Sequence, residues 1–203
     1  LAPSSQAIAT MSVAAVLKKD GVTQRKLLMC IPFNEITRSP AEVMGRAIDY
    51  GLLGGSALSQ VQCPEDLLHV EALDQSNAFT YVETPSFWWP LMSGPEVRAK
   101  DLPASWVAGR WGPNERVRPQ YRRLAMGFRH SVWILMQINI EAVRIALFSD
   151  MRFSSWKILN LQSDRATRLY LSEGNGAVYV HLDDIGVITR TPELGLIARG
   201  LIR

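Results

Sequence analysis

The sequence reads as antiparallel hairpins set beside one long core helix, a pattern that agrees with an α+β fold. Three observations carry this. Asp20-Gly21 separates two apolar runs with the turn chemistry of a hairpin. Asp183-Asp184 interrupts the apolar run from Ala177 to Ile188 and reads as strand, turn, strand. Residues 131–148 are almost wholly apolar, broken only by Gln137, Asn139, Glu141 and Arg144, and predict a helix buried on most of its sides.

The other elements follow in order. Residues 13–17 and 25–31 are the arms of the first hairpin. Residues 40–50 have helical spacing at Val43, Met44, Ala47 and Ile48, with Ser39-Pro40 as a start signal and Gly51 beyond the end. Gly54-Gly55 marks a loop. Residues 70–82 read as a strand with an irregular or helical continuation. The stretch 85–119 holds six prolines together with Trp88, Trp89, Trp106 and Trp111. It is too long for an ordinary connection and too aromatic for a linker, so it is expected to pack as an insertion. Residues 121–126 predict a short strand ending at Gly127, and Ser131 or His130 caps the long helix. Residues 168–171 and 177–180 flank Glu-Gly-Asn-Gly, the signature of a second hairpin.

Composition narrows the functional classes. With 203 residues, 47% hydrophobic and 20% charged, the chain suits one domain, or one domain and a small lobe, with a packed core. The net charge of +3 is mildly basic. Cys30 and Cys63 stand far apart, which excludes a disulfide framework and a zinc motif, and makes an intracellular compartment the default. No run reaches about 18 uninterrupted apolar residues, so no membrane partner is expected. The start has no basic-then-apolar leader pattern. A first residue other than Met leads to the expectation of a piece of a longer protein. His69, His130 and His181 are scattered and form no zinc or triad set.

The informative chemistry is carboxylate. Asp183-Asp184 sits in an apolar run, and Asp74 in a similar setting. Carboxylates so placed are normally neutralised, hydrogen-bonded or metal-bound. Acids at the ends of neighbouring strands can hold two divalent cations about 3.5–4 Å apart for phosphoryl transfer, which points to a metal-dependent nucleotidyl transferase. A second signal is basic. From Arg98 to Arg129 there are eight Lys or Arg and only Asp101 and Glu115 against them, with tryptophans interleaved. Arg110, Arg116, Arg118, Arg122 and Arg123 in this stretch are candidates for a nucleic-acid backbone groove. A solubilising loop face is the alternative.

Four stretches, in one order, resemble the reverse transcriptase family and together span roughly residues 16–188. Asp74-Gln-Ser-Asn-Ala-Phe-Thr80 is similar to the family's Asp-x-x-x-Ala-aromatic. Leu124-Ala-Met-Gly127-Phe-Arg-His-Ser131 resembles its Leu-Pro-x-Gly-x-x-x-Ser. His181-Leu-Asp183-Asp184 resembles its aromatic-x-Asp-Asp, and the basic hairpin from Lys18 to Leu27, with Asn34 beyond it, resembles its nucleotide-closing hairpin.

The resemblance implies a right-hand polymerase palm of antiparallel sheet backed by helices, with fingers elements in residues 1–69. Residues 70–203 would be the palm, carrying the insertion at 85–119, and the thumb would be absent. It further implies an RNA-directed DNA polymerase fragment of a retrotransposon or retroelement polyprotein. Asp74, Asp183 and Asp184 would be catalytic and would bind two Mg²⁺ or Mn²⁺. Lys18 and Arg25 would hold the triphosphate, and Gln75 would lie near the metals. Phe79 would exclude a 2′-hydroxyl, and Gly127 and Ser131 would lie at the nucleotide or template. The implied partners are dNTP, an RNA or DNA template with primer, and the rest of a longer polyprotein.

The sequence departs from the family at Ala125, Met126 and Val132, at His181 where an aromatic is usual, and at Met29 and Ile31 where Asp and Arg are usual. The alternative to an active fragment is an inactive, retroelement-derived, nucleic-acid-binding palm remnant. An RNA-synthesising palm is disfavoured by Phe79, and an unrelated α+β domain by the ordered set of matches.

Overall fold

The Asp20 carboxylate organises the turn of the first hairpin. It accepts from the backbone N–H groups of Val22 and Thr23 at 3.0 and 2.9 Å and from the Thr23 hydroxyl. The Thr23 hydroxyl, followed by these backbone bonds, holds the Asp20 carboxyl below its usual range. The chain around it is a computed structural model describing residues 1–45, 59–63, 68–107, 109–160 and 169–203, without the side chains of Arg25 and Lys26.

The strands are β1 (Ala2–Pro3), β2 (Ser12–Leu17), β3 (Gln24–Met29), β4 (Val61–Gln62), β5 (His69–Asp74), β6 (Val97–Arg98), β7 (Arg116–Arg118), β8 (Lys157–Ile158), β9 (Leu169–Tyr170), β10 (Gly176–His181) and β11 (Asp184–Thr189). The α-helices are α1 (Ile31–Ile36), α2 (Pro40–Met44), α3 (Ala78–Tyr81), α4 (Ala104–Val107), α5 (Ser131–Phe148) and α6 (Pro192–Ile202). Among the described residues the strands form a β5-β11-β10-β8 sheet, a β1-β7-β6 sheet and the pairs β2-β3 and β4-β9. This mixed architecture of several small sheets is compatible with the α+β expectation.

Two compact units divide the chain, Leu1–Ala47 with Phe79–Ser131, and Ile48–Ala78 with Val132–Arg203. The boundary expected after residue 69 falls inside the second. In the first unit, β2 and β3 pair from Ser12↔Met29 to Leu17↔Gln24. Its core gathers Met11, Cys30, Phe33, Met92, Ala125 and Phe128. The described part of the Trp/Pro-rich stretch packs into this unit. Trp88 meets the rings of Phe33 and Phe128 edge-on, and the Trp89 indole N–H donates to the Thr84 carbonyl at 3.1 Å.

In the second unit, alternation along β10 and β11 divides the core between two sheet faces. Val178, Val180 and Val187 pack with Met136, Val143 and Leu147 of α5 and Ala198 of α6. Ala177 and Ile188 turn the other way, toward Leu159 and Leu171. By length and composition α5 is apolar enough to cross a membrane, but here one side of it packs on the sheet. Tyr179 stands opposite Gly186, where a Cβ would lie 2.1 Å from the tyrosine ring, so the glycine makes room for the aromatic. Glu71 on β5 accepts from Arg199 of α6 at 3.1 Å, tying helix to strand.

Several expectations are corrected. The helix starting at Pro40 carries the expected Ser39 cap in a full capping box with Glu42, but α2 ends at Met44 with Gly45 in the left-handed conformation. Residues 46–50, with Gly51, Gly54 and Gly55, lie outside the described residues. Residues 121–126 form no strand. Their backbone instead bonds residue by residue to earlier loops, with Tyr121 N–H to Met92, Thr84 N–H to Arg122 and Leu124 N–H to Val82, each at 2.9 Å. The Asn-Gly turn does not join paired strands. β9 pairs in parallel with β4, and Asn175 instead holds the loop, accepting from the Ser172 N–H at 2.8 Å and donating to the Tyr170 carbonyl at 3.0 Å. Arg168 lies outside the described residues. Helix α1 was not expected.

Candidate active site

Antiparallel pairing brings the carboxylates together. β11 runs beside β5 with Asp184↔Asp74, Ile185↔Leu73 and Gly186↔Ala72 in register. Asp74 closes β5 and Asp184 opens β11, so the two acids are direct cross-strand partners, and both are exposed. Asp183 occupies the β10–β11 turn one residue earlier. Its carbonyl accepts from the Gln75 backbone N–H at 2.9 Å, carrying the ladder one step past the end of β5. The Gln75 carbonyl accepts from the Ala78 N–H at 3.2 Å.

The turn that presents Asp183 is under strain. Leu182 has φ 58°, a left-handed conformation that costs a residue with a side chain about 1–2 kcal/mol. Helix α5 holds it there. The Asn139 side chain, 4% exposed, donates to the Leu182 carbonyl at 2.7 Å, and the Leu182 N–H points to the Met136 sulfur at 2.9 Å. From the flank, Asn160 both donates to the Val180 carbonyl at 2.8 Å and accepts its N–H at 2.7 Å. These supports were not read from the sequence. The available signal was Asn139 itself, one amide inside an apolar helix run.

Three carboxylates on adjacent strand ends suit hard divalent cations, which take oxygen ligands. Among the described residues, none of Asp74, Asp183 and Asp184 makes an ion pair or side-chain hydrogen bond, so nothing competes for their oxygens. As they stand, no three His, Cys, Asp or Glu side chains among the described residues converge as a metal-holding group. The donor set suits hard divalent ions by its chemistry and by the strand register that places Asp74 beside Asp184, with Asp183 next to it in the turn.

The expected glycine turn lies in the first unit. Gly127 has φ 114°, and a Cβ on it would come within 2.8 Å of the Leu28 carbonyl oxygen. The glycine is thus required by the protein's own backbone. Asn34, on the unanticipated helix α1, donates to the Gly127 carbonyl and accepts the Arg129 N–H, both at 2.9 Å. Next to it, Phe33 stacks on Phe128 with ring centroids 4.2 Å apart. Pro32, a helix-start residue, was the signal for α1.

The remaining predicted residues divide. Ser131 is fully buried and its hydroxyl donates to the Ala125 carbonyl at 2.5 Å, so it fastens the turn. Phe79 lies in α3 and is 8% exposed. Lys18 is exposed at the hairpin end, where its backbone N–H bonds to the Thr23 carbonyl at 2.8 Å. Arg25 pairs with Val16 by backbone, and its side chain is outside the described set.

Four of the five groove arginines already have protein partners. Arg116 pairs with Glu96, Arg123 with Glu83, and Arg122 lies 4.1 Å over the Trp89 ring. Arg118 donates to Ser4, Thr10 and the Gly94 carbonyl. Arg110 is exposed.

No protein-family model matches the sequence, and no curated protein matches it. Among solved structures, the chain is similar to a foamy viral protease-reverse transcriptase in complex with double-stranded DNA, with TM-score 0.57 and 14% sequence identity. The fold is reverse-transcriptase-like. The similarity covers 97% of this chain but only 24% of the viral one, so the chain spans about a quarter of that protein's length.

Proposed function

We propose that this chain carries the catalytic core of an RNA-directed DNA polymerase, adding deoxynucleotides to a primer through two-metal nucleotidyl transfer. The observation that carries the reading is the Asp74↔Asp184 pairing with Asp183 in the adjoining turn, on a reverse-transcriptase-like fold.

Asp74 and Asp183 would hold the two Mg²⁺ or Mn²⁺, with Asp184 as the supporting carboxylate. Bound there, the ions would lower the pKa of the primer 3′-hydroxyl and neutralise charge on the leaving phosphates. In the reaction the 3′-oxygen attacks the α-phosphorus of the dNTP, a new phosphodiester forms, and pyrophosphate departs. Lys18 and Arg25 would bind the triphosphate, Arg by a bidentate fork. Phe79 would exclude a 2′-hydroxyl. Arg110, with the exposed Arg116, Arg122 and Arg123, would supply screened, sequence-independent attraction to template and primer phosphates. The source would be a retroelement polyprotein acting inside the cell.

Primer extension on an RNA template with Mg²⁺ or Mn²⁺ tests this, comparing dNTPs with rNTPs, in wild type, Asp183→Ala and Phe79→Val. Incorporation of dNTPs that is lost in Asp183→Ala supports the reading, and rNTP use gained in Phe79→Val supports the gate. Incorporation unchanged in Asp183→Ala overturns the site. No incorporation, together with retained binding of a primer–template duplex, favours the non-catalytic remnant.

A further inference from the structure

The Asp183 turn contains a residue in a conformation its side chain disfavours, and a buried amide braces it there. Leu182 is one of two non-glycine residues with positive φ among the described residues, and it directly precedes Asp183. Glycine is the residue expected at such a position. The Leu182 carbonyl receives the Asn139 side-chain N–H at 2.7 Å, and the Leu182 N–H is taken by the Met136 sulfur at 2.9 Å. Both backbone polar groups of Leu182 are therefore fixed by positions one turn apart on helix α5. Asn139 is almost fully buried on a helix whose neighbours Leu135, Met136 and Val143 are core residues. A polar side chain there serves core packing poorly. Its amide meets the carbonyl that precedes the Asp183 nitrogen, so it fixes the peptide plane from which the Asp183 side chain departs.

We infer that Asn139 is a positioning residue for metal binding, acting through Leu182 to aim Asp183 at the cation. The assignment rests on the two-metal reading above. Losing the amide lets the Leu182–Asp183 peptide rotate out of the left-handed conformation and changes the direction in which the Asp183 side chain leaves the turn. Supporting contacts around metal ligands typically govern affinity by 10–100-fold.

The test is Mn²⁺ titration of the full 203-residue chain followed by electron paramagnetic resonance, with thermal melting of each variant. Asn139→Leu keeps volume and removes the donor. It is expected to bind Mn²⁺ about 10-fold more weakly with a melting temperature close to wild type, and to exchange the Leu182 amide hydrogen faster. Adding Leu182→Gly, which takes the positive φ without strain, is expected to restore most of the affinity. Asp183→Ala is the control. Wild-type affinity in Asn139→Leu beside weakened binding in Asp183→Ala overturns the inference and leaves the metal reading standing. Affinity and melting temperature falling together, without rescue by Leu182→Gly, overturns it in favour of a packing role. Mn²⁺ binding indifferent to Asp183→Ala overturns the metal reading, and the inference falls with it.

Discussion

Asp74 stands directly opposite Asp184 across the β5–β11 pair, two exposed carboxylates at one end of the sheet. Like charges so placed repel and destabilise the pair. The arrangement lowers stability when no cation is present, and is useful when one is.

Activity and stability should therefore move in opposite directions. Asp184→Asn is expected to stabilise the metal-free chain by about 0.5 kcal/mol, an effect that shrinks as salt is added. Asp74→Asn and Asp183→Asn are expected to lower DNA synthesis by roughly 10²–10³-fold. Mg²⁺ should raise the melting temperature of wild type and not of the Asp74→Asn/Asp183→Asn double variant. Calorimetry with and without Mg²⁺ checks the stability half, and primer extension checks the activity half.

Gly127→Ala is expected to destabilise by about 2–4 kcal/mol, since the new Cβ meets the Leu28 carbonyl and the backbone angle suits glycine. Asn34→Ala removes two bonds to the same turn and should cost about 1–3 kcal/mol. Asn34→Asp keeps the acceptor for the Arg129 N–H and should fall between wild type and Asn34→Ala. Urea denaturation midpoints give the order.

The arginines should separate by assay. Arg118→Met loses bonds to Ser4, Thr10 and the Gly94 carbonyl, and is expected to cost about 2–3 kcal/mol of stability. Arg110→Ala should leave stability unchanged and reduce the salt slope of nucleic-acid binding by about one phosphate contact. Fluorescence anisotropy across a salt series, paired with melting curves, distinguishes the two.

Burial raises the Cys30 thiol to about 11. The unfolded thiol ionises nearer its ordinary value of 9.0, so neutral Cys30 contributes stability below pH 9 that is lost as pH rises toward 11. Cys30→Ala should flatten that alkaline decline. In the native chain at pH 8, Cys30 should resist alkylation, as mass spectrometry of iodoacetamide-treated protein would show.

What the sequence made legible was local and periodic. Alternation in residues 177–188 around Asp183-Asp184 marked the hairpin, and the change of pattern after Asp74 marked β5 giving way to α3. Partner choice was not legible. Asn-Gly signals a hairpin between neighbours, yet β9 pairs with β4, because turn chemistry reports the bend and not the strand that lies alongside. The groove arginines looked alike as charges, and only their neighbours show that Arg118 is a clasp. Asn139 and Asn34 were missed for one reason. An amide's role is set by the backbone group it reaches, 43 residues away for Asn139 and 93 for Asn34.

The two compact units are interleaved along the chain, which has a consequence for biogenesis. Neither unit is a continuous stretch of sequence. On the ribosome, strand β1 must wait for β7, more than a hundred residues later, and β5 must wait for β11. The β2–β3 hairpin can close early, but with Val13, Val16, Leu17 and Val22 open to solvent it is a sticky nascent segment. Synthesis from an interrupted message would therefore yield no half-protein that folds, and splitting the gene between the units would require three cuts, after Ala47, Ala78 and Ser131.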